Sequence, residues 1–153
     1  MKVVGIDNSS SAIVLARINQ RKSSISEENL IFIQADLFKE LPTSELFDLI
    51  ISNPPYISFN QRNHLDRDVL EWEDHSALFA NDEGLSFYKR IFDIAPKMLK
   101  RNSLSSIVLE IDGESQALAV KEFAQNAKVF QVWTDMVGNT RSLYCKYDNS
   151  EIE

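Results

Sequence analysis

Residues 47–56 have the sequence FDLIISNPPY, an apolar run followed by asparagine, two prolines and tyrosine. The run at residues 47–52 is typical of a buried β-strand. Each proline fixes its own φ and disfavours the helical region for the residue before it, so Asn53 and Pro54 are expected to be extended. We therefore predict a strand that ends in a stiff corner carrying one amide and one aromatic ring.

The corner presents two hydrogen-bond acceptors beside a ring. Pro55 has no N–H, the main-chain carbonyl of Pro54 is left available, and the side-chain carbonyl of Asn53 is a second acceptor. Both can accept from one planar NH₂ group while the ring of Tyr56 stacks on its face. This geometry indicates a site that holds the nitrogen of an NH₂ group in one orientation for alkylation. The alternative is an ordinary Pro-Pro turn after a buried strand.

Strands and helices alternate along the rest of the chain. The predicted strands are at residues 2–6, 30–35, 47–52, 106–111, 128–134 and 143–147, and the predicted helices at 9–19, 82–99 and 114–125. Asn81 or Asp82 can cap the second helix, and its apolar positions are Leu85, Tyr88, Ile91, Phe92, Ala95 and Leu99. Pro96 predicts a kink or an early stop in this helix. Residues 58–74 are expected to form a surface loop or lid with a short helix. The alternation predicts an α/β sandwich with a mostly parallel sheet.

Composition bounds the class of protein. The 153 residues allow one domain, and 44% apolar with 25% charged residues is ordinary for a globular protein. A net charge of −7 argues against electrostatic capture of nucleic acid. The single cysteine, Cys145, excludes an internal disulfide, and no apolar run is long enough to cross a membrane. His64 and His75 lack partners at zinc-ligand spacing, so no metal site is expected.

Polar residues follow three of the predicted strands: Asp7, Asp36 and Asn53. In an open parallel sheet ligands bind at the carboxyl ends of the strands, so we expect these three to converge on one crevice. A carboxylate at such a strand end can accept both hydroxyls of a ribose. The alternatives are that Asp7 caps the following helix and that Asp36 only opens a turn.

The strand ends resemble the motifs of a known family. Asp7 with its helix, Gln34-Ala35-Asp36, and residues 52–56 are similar to successive motifs of the class I S-adenosylmethionine-dependent methyltransferases. The tetrapeptide at 53–56 is shared by enzymes that methylate adenine N6, guanine N2 and glutamine amides.

The downstream half narrows the resemblance to the HemK-type release factor N5-glutamine methyltransferases. The segments that resemble this family's blocks are residues 72–78 (WEDHSAL), Gly84-Leu85 with Tyr88, Leu109-Glu110-Ile111 with Gln116, and Asp135-x-x-Gly138-x-x-Arg141. The resemblance implies a Rossmann-like class I methyltransferase sandwich. It also implies methyl transfer from S-adenosylmethionine to a glutamine side-chain nitrogen in the Gly-Gly-Gln loop of a peptide chain release factor.

The resemblance also implies roles for individual residues. Asn53, Pro54 and Tyr56 would be catalytic and, with Pro55, would bind the substrate. The cofactor would be bound by Asp7, Asp36, Leu37 and Asn53, with Asp7 on the ribose and Asp36 and Leu37 at the adenine. Glu73 would order the loop near the corner, unless it is simply a solvated loop residue. Neither a membrane nor direct nucleic-acid binding is expected, and the implied compartment is the cytoplasm or the mitochondrial matrix.

The chain departs from the family in three places. Asp74 stands where the family usually has proline, which is expected to loosen that segment, and Asn102-Ser103 replaces the usual glycine. The family's first strand and glycine-rich loop have no match, because the four glycines, Gly5, Gly84, Gly113 and Gly138, are not clustered.

Because the family's first strand has no match in this sequence, we expect three consequences for the domain, its stability and its activity. We expect residues 1–148 to be a partial catalytic domain and 149–153 a polar tail. The strands at 2–6 and 47–52 would either pair with each other or leave the chain unstable, and cofactor binding and methyl transfer would be impaired. A nucleic-acid methyltransferase acting on adenine N6 or guanine N2 and an inactive methyltransferase remnant are the alternatives.

Overall fold

A computed structural model describes residues 1–100 and 105–147. The expected polar tail at 149–153 and the change at Asn102-Ser103 lie outside the described residues. The chain divides into two compact units, residues 1–44 and 45–153, which are described in turn.

The first unit is a strand, a helix and a second strand: β1 (Val3–Asp7), α1 (Ser10–Lys22) and β2 (Leu30–Gln34). The two strands are parallel, with Asp7 opposite Gln34. The Ser9 hydroxyl accepts from the Ala12 N–H at 3.3 Å and begins the helix. The predicted end at residue 19 was too early. Gln20 was expected in the loop after the helix, but it lies in α1 and is buried. Its side-chain amide donates to the Leu30 carbonyl at 2.7 Å, which connects α1 to β2.

The second unit is built on a four-stranded sheet in the order β3 (Leu49–Ser52), β6 (Ser106–Glu110), β8 (Thr140–Lys146), β7 (Val129–Thr134). β3 and β6 are parallel, whereas β8 is antiparallel to both of its neighbours. Ile107 and Leu109 of β6 are fully buried, which places this strand at the core of the unit. The mixture of parallel pairs with a closing antiparallel pair confirms the predicted α/β class.

Two helices accompany this sheet, α5 (Ser86–Met98) and α6 (Gly113–Lys121). The predicted apolar stripe of α5 is confirmed, because the side chains expected to face the core are buried: Tyr88, Ile91, Phe92, Ala95 and Leu99. Pro96 lies inside the last turn and the helix continues to Met98, so the early stop considered at Pro96 does not occur. The expected cap from Asn81 or Asp82 is wrong, because the helix begins after Leu85 without a side-chain cap.

The segment before α5 is more ordered than a loop. It contains β4 (Ile57–Ser58), a 3₁₀ helix (Phe59–His64), α2 (Arg67–Trp72), α3 (His75–Leu78), β5 (Phe79–Ala80) and the short turn α4 (Asn81–Gly84). β4 and β5 pair in parallel. Ser58 and Gln61 form a capping box at the start of the 3₁₀ helix. In α4, Asp82 and Glu83 have left-handed φ values of 53° and 56°.

β1 and β3 each have a strand partner on one side. Within residues 1–100 and 105–147, β1 pairs with β2 in the first unit and β3 pairs with β6 in the second. The side chains on β3 are correspondingly open, since Leu49 is 49% and Ile51 73% exposed. In the described part of the chain no helix has the length and apolar character needed to cross a bilayer.

Candidate functional site

The corner at residues 53–56 directly follows β3. Asn53 is exposed, Pro54 is buried, and Pro55 and Tyr56 are half-buried. Among the residues that the structure describes, neither the Asn53 side chain nor the Pro54 carbonyl has a hydrogen-bond partner. The two acceptors singled out from the sequence are thus not engaged by any other described residue.

Tyr56 turns its hydroxyl towards the end of β6. That hydroxyl donates to the Glu110 carboxylate at 3.3 Å. Burial raises the pKa of the Tyr56 phenol above its ordinary value, and the negative charge of Glu110 raises the pKa further. The side chain is therefore a neutral aromatic wall at physiological pH, fixed at its tip by Glu110.

The main chain at Tyr56 is held from behind by residues for which the sequence predicted no role. Gly84 approaches it closely, because a β-carbon there would lie 2.2 Å from the Tyr56 carbonyl oxygen. Gln116 donates to the same oxygen at 3.2 Å. Gly84, Glu110 and Gln116 all lie in segments that resembled the family, yet spacing alone gave no sign that they meet the corner.

Two carboxylates lie at one edge of the sheet in the first unit. Asp7 ends β1, and its carbonyl accepts from the Ala35 N–H at 3.0 Å, which brings the ends of β1 and β2 together. One Asp7 carboxylate oxygen accepts from the Ser9 N–H at 2.8 Å. The helix cap itself is Ser9, so Asp7 supports the turn before the helix rather than capping it.

Asp36 also shapes a turn. Its carboxylate accepts from the Phe38 N–H at 2.9 Å and lies 3.6 Å from the Lys39 ammonium. This hydrogen bond is the turn-forming role considered from the sequence, but Asp36 also borders a cleft. It lines an open cleft of about 490 Å³ formed by Asn8, Gln34, Ala35, Asp36, Lys39, Glu40 and Pro42.

The cleft has the size and lining of a site for a small polar ligand. Two carboxylates, two side-chain amides and a cation border it, and these groups can pair with hydroxyls and ring nitrogens. Of the predicted cofactor residues, Asp36 lines this cleft, whereas Asp7 and Leu37 do not. Asn53 belongs to the second unit, and its convergence with Asp7 and Asp36 stays a prediction.

The segment after α2 is capped rather than loosened. Asp74 begins α3 by accepting from the Ser76 N–H and hydroxyl, each at 2.8 Å. These hydrogen bonds lower the pKa of the Asp74 carboxyl below its ordinary value. The expectation that Asp74 loosens this segment in place of proline is therefore wrong. Glu73 is exposed at the end of α2, which agrees with the solvated alternative for its side chain.

Comparison with known proteins relates this architecture to methyltransferases. A family described as a methyltransferase domain matches residues 1–129. A release factor glutamine methyltransferase from Lactococcus lactis is 37% identical over 143 residues, which are 92% of this chain and 50% of that protein. Another protein of the same name, from Fusobacterium nucleatum, is 37% identical over 146 residues, or 94% of this chain and 40% of its own length. The chain thus spans about half or less of these relatives.

A solved structure extends the likeness to the fold. The T. thermophilus 16S rRNA N2 G1207 methyltransferase, solved in complex with AdoMet and guanosine, matches with a TM-score of 0.61 at 12% identity. The match covers 95% of this chain and 31% of that one. At this identity the likeness shows the fold alone, which is the Rossmann-like class I methyltransferase fold expected from the sequence. Given the family match and relatives named release factor glutamine methyltransferase, this chain belongs to the methyltransferase domain family.

Proposed function

We propose that this chain belongs to an enzyme that transfers a methyl group from S-adenosylmethionine to the side-chain amide nitrogen of a glutamine in a peptide chain release factor. The observation that carries the proposal is the corner at 53–56, where the Asn53 side chain and the Pro54 carbonyl are both open acceptors. Two relatives named release factor glutamine methyltransferase are similar along nearly the whole of this chain, which supports a release factor glutamine as the substrate. Such a substrate belongs to the cytoplasm or the mitochondrial matrix.

The corner suits an amide because an amide nitrogen is a poor nucleophile. Its lone pair is delocalised into the carbonyl, and it must be held in one orientation for attack. Asn53 and Pro54 accept one hydrogen each from the substrate NH₂ group and favour the positive charge that grows on nitrogen. Tyr56 covers the face of the amide. Orientation of this kind can lower a barrier by about 7–11 kcal/mol at best.

The first unit supplies the residues for the nucleoside half of the cofactor. Asp7 keeps one carboxylate oxygen beyond its bond to Ser9 for the ribose hydroxyls, and Asp36 lines the cleft with Leu37 beside it in the chain. Bound S-adenosylmethionine supplies an electrophilic methyl group on a sulfonium centre. The amide nitrogen would gain that methyl group and would release one proton to solvent.

The substrate class is tested by offering this chain S-adenosylmethionine with a labelled methyl group. One set of reactions contains a Gly-Gly-Gln peptide, and a second contains RNA and DNA oligonucleotides. We expect label in the peptide, and none when its glutamine is replaced by asparagine. Label in the oligonucleotides instead would support the alternative of a nucleic-acid methyltransferase, and label in neither would support an inactive remnant.

We further propose that the 153-residue chain by itself binds the cofactor weakly and turns over slowly. The scattered glycines support this, since backbone close to the cofactor usually needs glycine. Among the described residues of its own unit, each of β1 and β3 also has a strand partner along one edge only. Calorimetric titration is expected to show a dissociation constant well above the micromolar range. Tight binding would contradict the proposal.

A further inference from the structure

The side chain of Gln116, at the start of α6, links three segments of the second unit. Its carbonyl oxygen accepts from the Asp112 N–H at 2.8 Å and lies 3.0 Å from the Tyr88 hydroxyl. Its NH₂ group donates to the Tyr56 carbonyl at 3.2 Å. Gln116 is therefore hydrogen-bonded at both ends of its amide, and one of those ends is the main chain of the corner.

The orientation of this amide is fixed by what its neighbours can do. A main-chain N–H can only donate and a main-chain carbonyl can only accept. The Gln116 oxygen must therefore face Asp112 and its nitrogen must face Tyr56, because the opposite orientation would place donor against donor and acceptor against acceptor. The Gln116 amide thus has one satisfied arrangement.

Buried neighbours hold that arrangement in place. Tyr88 is fully buried, and its hydroxyl also lies 2.8 Å from the Glu110 carbonyl, to which it donates. On another side, Gly84 leaves no space, since a β-carbon there would lie 2.2 Å from the Tyr56 carbonyl oxygen and 3.3 Å from the Gln116 nitrogen. The Tyr56 carbonyl is consequently confined between Gly84 and Gln116.

The confinement matters because the acceptors of the corner have no support of their own. In the described ranges the Asn53 side chain and the Pro54 carbonyl lack a partner, so no hydrogen bond of their own holds them in place. Pro54 and Pro55 have fixed φ values, which leaves few torsions between β3 and Tyr56. A carbonyl fixed at Tyr56 therefore restricts the direction of the Pro54 carbonyl and the place from which the Asn53 side chain starts.

We propose that Gln116 is a positioning residue that sets where the corner presents its acceptors to the substrate amide. The inference rests on the proposed function for its catalytic consequence, although the hydrogen bond from Gln116 to Tyr56 is independent of it. Gln116 acts through the Tyr56 peptide and not on the substrate itself. Its loss should lower the rate of transfer with little effect on cofactor binding.

The test compares Gln116→Glu with Gln125→Glu, which makes the same change of charge at an exposed position after α6. Gln116→Glu keeps an acceptor for the Asp112 N–H but cannot donate to Tyr56. If Gln116→Glu does not fold, it is replaced by Gln116→Met, which removes the donor without adding a charge. Three quantities are measured: the ¹³C resonance of the Tyr56 carbonyl, kcat for methyl transfer to the Gly-Gly-Gln peptide, and KM for S-adenosylmethionine.

We expect the Tyr56 resonance to move and kcat to fall on the order of 10²-fold in the Gln116 variants, with KM for S-adenosylmethionine within about twofold and no change in the Gln125 variant. An unmoved resonance or an unchanged kcat would overturn the proposal. If the parent chain transfers no methyl group to the peptide, the proposed function fails, while the Tyr56 resonance still decides whether Gln116 positions the corner.

Discussion

Gly84 lies so close to Tyr56 that a β-carbon at position 84 would stand 2.2 Å from the Tyr56 carbonyl oxygen. Gly84 also has a φ of +90°, which side chains rarely adopt. The turn before α5 and the corner after β3 can therefore approach each other only if residue 84 has no side chain. The conformation of the corner depends on this glycine as well as on its own two prolines.

Gly84→Ala should destabilise the fold by about 2–4 kcal/mol, because backbone strain and a main-chain clash act together. Gly138→Ala is the matched control, since Gly138 has the same φ of +90° but nothing within 4 Å of the added carbon. Thermal and urea unfolding of both variants measure the difference. Equal destabilisation would mean that strain alone matters and that the close approach to Tyr56 does not.

Cys145 is predicted to be unreactive in the folded chain. It is fully buried on β8, and burial raises the pKa of its thiol to about 12. A disulfide reagent at about pH 8 should therefore react only after unfolding, because the thiolate is the reactive form. Ser23→Cys, at an exposed position, provides a positive control that should react at once. Rapid reaction of the parent chain would show that β8 opens readily.

The same thiol makes stability depend on alkaline pH. Its folded pKa is above its unfolded value, so the unfolded chain loses the proton first as the pH rises. The contribution is fully present below the ordinary thiol pKa, near 9, and is lost as the pH rises towards about 12. Urea unfolding across this range should show a steeper loss of stability in the parent than in Cys145→Ala.

Asp74→Ala should release the start of α3. The Asp74 carboxylate holds the Ser76 N–H and hydroxyl, and its lowered pKa means that this contribution is present above its ordinary pKa and lost as the pH falls through the lowered value. Hydrogen exchange of the Ser76 amide should accelerate in the variant. Asp68→Ala, on α2, removes a similar charge and should leave that amide protected.

Asp7→Asn is expected to weaken binding of S-adenosylmethionine about 10–100-fold, because a charged acceptor for the ribose hydroxyls is lost. The asparagine oxygen can still accept from the Ser9 N–H, so the turn before α1 should persist. Asp68→Asn makes the same change of charge on α2 and serves as the control. Titrations of both variants over a wide range of cofactor concentration measure the effect, and equal affinities would remove Asp7 from the site.

Sequence patterns were sufficient where one local rule dominates. The apolar stripe of α5 and the strand before Asn53 both follow from the periodicity of apolar residues. Gln20 was misplaced because its burial depends on a hydrogen bond to Leu30, which no local pattern encodes. Asp82 was expected to cap α5, and its left-handed φ is imposed by the turn in which it lies.

The residues of the candidate site likewise fall into those that local sequence patterns predict and those that they do not. Asn53, Pro54 and Tyr56 were predictable, because two successive prolines restrict the backbone whatever surrounds them. Gln116 and Gly84 were not, since they meet Tyr56 across 60 and 28 positions of sequence. Contacts of that separation depend on how β3, β6 and the turn before α5 pack together, which spacing along the chain does not reveal.

The central claim is that Asn53 holds the substrate amide, and a single-turnover comparison of the parent with Asn53→Ala tests it most directly. Excess chain and S-adenosylmethionine are incubated with a Gly-Gly-Gln peptide, and mass spectrometry follows methylation of the glutamine. Asn126→Ala, another exposed asparagine in the second unit, is the control. We expect Asn53→Ala to fold like the parent and to transfer about 10²–10³-fold more slowly. Equal rates for Asn53→Ala and the parent would contradict the account.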